Sequence, residues 1–257
     1  MDQTETHALY ARAEAARAEA KAAGQDDDDA HAAATAVWNG WAEGMLAQRK
    51  ALEAAGKWKA EKGILGTLEP KNTETSGWFA AAGAVFSTDE NKHTFEQQVD
   101  CRNWIFPDAA KFERVTFKGD AKFDRATFDG DAEFGEATLS GKAAFNDATF
   151  SGNAWFDLSR FNGDTTFAKA RFARAASFVA LKGDSAFSLE GAQFRRVPDF
   201  IQANFVQAPR LDNIHLRTVW VQEKGTRTSW PLRAVQVMWR RSRLPHINSS
   251  ARYRSLK

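Results

Sequence analysis

The chain has 257 residues and a formal net charge of +2. That is long enough for one large domain or two small ones with a sizeable core, and the overall charge selects no class of partner. Cys101 is the only cysteine, which excludes an intramolecular disulfide and a thiolate metal cluster built within one chain. The N-terminus lacks the apolar core of a signal peptide, and no stretch approaches the roughly 18 apolar residues of a membrane span. The expectation is a soluble, cytoplasmic protein. Charge is unevenly spread. Residues 1–34 hold eight acids and three bases, and residues 195–257 hold three acids and thirteen bases.

Residues 3–23 are rich in Ala, Glu, Arg and Lys and predict a helix, with few large apolar side chains to dock it. It and the acidic run Asp26–Asp29 form a first region, 1–29, expected to be flexible. The run suits the start of the next helix better than a cation site. That helix spans about 30–55, with Trp38, Trp41, Met45 and Leu52 on one side, and stops at Gly56. A loop through Gly63 and Pro70 and a short helix over 75–86 complete a helical cap region, 30–105.

From Phe112 the sequence becomes periodic. Large apolar residues recur at Phe112, Phe117, Phe123, Phe128, Phe134, Leu139, Phe145, Phe150, Phe156, Phe161, Phe167, Phe172 and Phe178, spaced alternately by five and six. Each eleven-residue unit carries one glycine, at Gly119, Gly130, Gly141, Gly152 and Gly163, often followed by Asp or Asn. Alanine commonly stands two residues before the large position. Eleven residues also make three helical turns, but in a helix these Phe fall into two groups rather than one stripe, and a glycine per unit costs about 1 kcal/mol each. In extended backbone, Ala-x-Phe points Ala and Phe to one side, and Gly-Asp marks a corner. Repeats this regular stack on a shared core. After Phe178 the spacing breaks down: Leu181 comes early, and Pro198 and Pro209 intrude. Val197–Leu211 is read as a last irregular coil.

These units resemble those of bacterial pentapeptide-repeat proteins, a small residue, any residue, a central Leu or Phe, then two more. Ala137-Thr138-Leu139 and Ala148-Thr149-Phe150 fit. The Phe-rich variant with an extra Gly-containing residue in alternate units is the nearest subgroup. The resemblance covers 106–211, about two fifths of the chain. It implies a mainly β fold, a right-handed quadrilateral β-solenoid with central aromatics stacked inside and 22 residues per coil. Ser159 and Thr165 depart from the pattern by replacing the small Ala. Residues 212–257 are expected to be a basic capping region. Within it Trp230–Leu244 predicts an amphipathic helix carrying Arg233, Arg240 and Arg241, which plugs the open end or lies on a membrane.

No catalytic or cofactor motif appears, and no cofactor or metal is called for. The five His are scattered and read as surface or packing residues. Cys101 beside Arg102 reads as a small core residue rather than a reactive thiolate. The expected function is a non-catalytic protein–protein interaction scaffold with an unknown protein partner. Its outward ladders supply the candidate surface: Trp155, which stands out among small and polar neighbours, Arg160 and Arg171. The alternative is a module peripheral to the inner membrane. The resemblance also raises topoisomerase binding by DNA mimicry, but Lys111–Arg174 holds ten bases and ten acids, and a neutral rod does not imitate DNA. Direct nucleic-acid binding is not expected.

Overall fold

The computed structural model describes residues 1–63 and 68–216. The segment with Arg233, Arg240 and Arg241 lies outside the described residues.

Helix α1 (Gln3–Ala22) starts with a capping box between Asp2 and Glu5. Helix α2 (Asp27–Ala54) starts on Asp26, whose carboxylate accepts the backbone N–H groups of Asp28 and Asp29 at 3.0 and 2.9 Å. The acidic run thus serves the positive end of α2. A third helix, α3 (Thr73–Ala82), follows a short antiparallel pair, Ala60–Lys62 with Leu68–Pro70. Helix α1 does not stand free as its composition suggested. Thr6, Leu9, Ala13 and Ala20 are buried, because a face of small residues lets it pack closely against α2 and the first coil.

The rest of the described chain is a β-solenoid of about six turns. Its two-residue strands form four parallel sheets of six, five, six and five strands. Partners are 22 residues apart: Thr127 pairs with Ile105 and Thr149, and Ala132 with Ala110 and Ala154. The solenoid starts at Ala84–Val85, well before Phe106. Ala84 pairs with Ala110, a step of 26 rather than 22. Extra residues between Phe86 and Phe95 conceal the period there.

All thirteen large repeat positions, from Phe112 through Leu139 to Phe178, are buried. Successive coils stack ring on ring. Phe145 lies 5.1 Å from Phe123 and 4.7 Å from Phe167, within 5° of parallel to each. The five-six alternation reflects two kinds of corner. At five-residue corners one residue takes the left-handed conformation: Arg125, Glu136, Asp147, Leu158 and Lys169 have φ between 55° and 59°. Six-residue corners carry the glycines, and their φ is not left-handed. What they need is closeness. A Cβ on Gly141 would meet the Gly119 carbonyl at 2.7 Å, and one on Gly152 the Gly130 oxygen at 2.2 Å. Asp131 and Asp120 secure these corners by accepting the Asn153 and Lys142 N–H groups of the next coil at 2.8 and 2.9 Å.

The period does not break down after Phe178. The left-handed residue recurs at Ala180, Gly191, Gln202 and Asn213, and the large positions continue as Gly183, Leu189, Phe194, Phe200 and Phe205. The apparent slip is an exchange of volume. Gly183 occupies a large position, and the neighbouring small positions hold Leu181 and Phe187, both buried. Phe205 of the next coil fills the space over Gly183, where a Cβ would lie 2.7 Å from its ring, and Phe187 sits 4.9 Å from Phe205.

Candidate interaction site beneath the helical cap

The helices seat on the first coil through an aromatic and polar seam. Trp38 of α2 stacks on Trp104 at 4.4 Å and donates from Nε1 to the Ile105 carbonyl at 2.9 Å. Asn39 exchanges hydrogen bonds with the Asn103 carbonyl and the Ile105 N–H. Cys101 occupies the column of Phe123 and Phe145 but is small, which leaves room for Tyr10 of α1, 5.3 Å from Phe95. The Cys101 thiol is fully buried, and burial raises its pKa well above the usual value. It is a packing residue.

Beside it lies a buried polar cluster. His31 Nε2 is 2.8 Å from the Arg102 carbonyl, and its Nδ1 is 3.2 Å from an Arg17 guanidinium nitrogen. Arg17 also donates to the Asp100 carbonyl at 2.8 Å. Burial pushes the Asp100 carboxyl up, but hydrogen bonds from Arg102 and the nearby His31 outweigh it and leave it below the usual value. Burial lowers His31, with Asp100 opposing.

A cleft of about 250 Å³ opens where the cap overhangs the corner of two sheets. Trp78 and Phe79 of α3 and Arg49 of α2 form one wall, and Asp108, Asp129 and Glu133 line the other. The Arg49 guanidinium lies 4.8 Å from the Trp58 ring centroid and 5.8 Å from that of Trp78. Burial raises the Glu133 carboxyl to about 7, with Lys111 opposing. Burial raises Asp108 to about 6, against its backbone hydrogen bond at Ala109. The cleft therefore offers an aromatic wall and carboxyl groups that change charge near neutrality. Among the described residues no group of three or more His, Cys, Asp or Glu is placed to hold a metal ion.

From the cleft an outward ladder runs along one sheet: Lys111, Glu133, Trp155 and Ser177. Trp155 is half-buried beside Glu133. Arg160 and Arg171 are exposed but belong to two other sheets, so the three described candidates do not form one surface. Arg160 is ion-paired with Asp184 at 3.5 Å. Sequence reading missed Arg49, Trp58, Trp78 and Asp108, which lie outside the regular repeat. The available signal was the four tryptophans between Trp38 and Trp78, more than the packing of one helix requires.

The fold and site thus define a helix-capped β-solenoid carrying a cleft. Residues 102–148 and 134–180 match the family model for pentapeptide repeats, with nine copies, which supports a pentapeptide-repeat protein. Comparison with curated proteins and with solved structures finds no match. No described helix is long and apolar enough to cross a membrane.

Proposed function

We propose that this is a non-catalytic scaffold for protein–protein interaction in the bacterial cytoplasm. It is built on a right-handed, quadrilateral pentapeptide-repeat solenoid. The partner docks at the mouth of the cleft and along the ladder that leaves it. The observation that carries this reading is the continuity of the cleft carboxylates with Trp155. A flat tryptophan beside an acidic, aromatic-walled cleft suits an anchor, and its partner would carry a basic side chain beside an apolar one.

The test is affinity capture from the native cell with the full chain and with Trp155→Ala and Glu133→Lys. A protein retained by the wild type and lost with both variants supports the reading. A partner set unchanged by both substitutions overturns it.

A further inference from the structure

The far half of the solenoid carries a second surface with different chemistry. Arg171 points outward from one sheet and pairs in register with Gln193. The next residues of that coil are Arg195, Arg196 and Val197. Arg171, Arg195 and Arg196 are exposed, and none has an ion pair among the described residues. Several other cations of the rod are ion-paired, Arg114 with Glu136 at 3.3 Å, Lys118 with Glu96 at 2.8 Å and Arg210 with Glu190 at 3.0 Å; here three unpaired arginines lie on neighbouring turns of one edge. The two acids between Arg171 and Val197 are already engaged, Asp184 with Arg160 and Glu190 with Arg210. Asp199, between Val197 and Ile201, accepts the Ile201 N–H at 2.9 Å and is one acid against three arginines, so the edge carries a net positive charge.

It also has exposed apolar side chains. Val197, directly after the two arginines, is 53% exposed, and Ile201, four residues further on, is 45% exposed. The chain then continues into 217–257, which contains ten Lys and Arg and one acid. Unpaired guanidinium groups beside short apolar side chains suit the boundary of an anionic bilayer, which attracts the charge and admits the methyl groups. An acidic peptide would satisfy the arginines and leave Val197 and Ile201 in water.

We propose that the solenoid edge formed by Arg171, Arg195, Arg196 and Val197 docks on an anionic lipid bilayer. This inference does not depend on the scaffold reading.

The test is sedimentation of the full chain with vesicles of phosphatidylglycerol mixed with phosphatidylcholine, and with phosphatidylcholine alone. Wild type binds the anionic vesicles and is released by salt. R171Q/R195Q/R196Q keeps its melting temperature and partitions roughly tenfold or more weakly. Val197→Cys carrying an environment-sensitive fluorophore shifts to the blue with anionic vesicles, while the same probe at Thr138→Cys, on another sheet, does not. The proposal is overturned if wild type ignores the vesicles or prefers an acidic peptide or duplex DNA. It is also overturned if the triple variant binds as wild type does while R233Q/R240Q/R241Q loses binding, since the attachment would then lie wholly in 217–257.

Discussion

Phe145 has a parallel ring above it, a parallel ring below it and no exposure. Phe145→Ala removes a ring from the middle of a column that cannot collapse without shifting two neighbours. A loss of about 3–5 kcal/mol is expected on chemical denaturation, and a loss below about 1 kcal/mol would contradict the stacked core. The glycines give a sharper case. Because Gly152 is needed for closeness, even one methyl is too much. Gly152→Ala should cost about 3 kcal/mol by overpacking against the Gly130 carbonyl, although alanine suits its backbone angles. The left-handed corners behave oppositely. Leu158 has φ 59° and is 61% exposed, so it bears the steric strain of that region with little packing in return. Leu158→Asn, a residue more at ease there, should stabilise the protein by about 0.5–1 kcal/mol, visible as a higher melting temperature.

At the scale of elements, the cap and the cleft determine the response to pH. Asp108 and Glu133 hold protons more tightly folded than unfolded, with pKa values raised to about 6 and about 7. The stability they contribute is present below the usual carboxyl range and is lost as pH rises through those values. Glu133→Gln abolishes the Glu133 share of that loss. Relative to wild type, the variant should gain stability as pH rises from about 4.5 to about 7 and level off above that in parallel urea titrations, and a pH-independent difference would refute the assignment. The repeat elements were legible in the sequence because period and corner chemistry agreed from Phe112 to Phe178. The first coil was not, because the residues between Phe86 and Phe95 interrupt the count. The coil after Phe178 was not, because Gly183 and Phe187 had exchanged sizes, and a rule based on large residues reads that exchange as an ending. Helix α1 was misjudged because alanine faces signal weak burial by composition yet permit close helix packing.

For the whole molecule, the cleft was illegible for a simple reason: its walls come from sequence regions whose periodicities are unrelated. Arg49 and Trp78 belong to the helices, and Asp108 and Glu133 to successive coils, so only the seating of the cap brings them together. That seating hangs on Trp38, fully buried between Trp104 and Trp41. Trp38→Ala should lower stability by about 3–5 kcal/mol. If the cap anchors the cleft, the same variant should also speed amide exchange in α3 and in the first coil ahead of the distal coils.

The step of 22 residues that follows the longer first coil means that each coil touches only the one before it and the one after it. The end sealed by helices is the one synthesised first. A chain emerging from the ribosome can therefore seat its first coil under α1 and α2, and each later coil meets a finished edge as its template. Growth in this direction needs no residue that has not yet been made. Its unfinished face is always the newest coil, so the protein exposes one open edge at a time while it is being built.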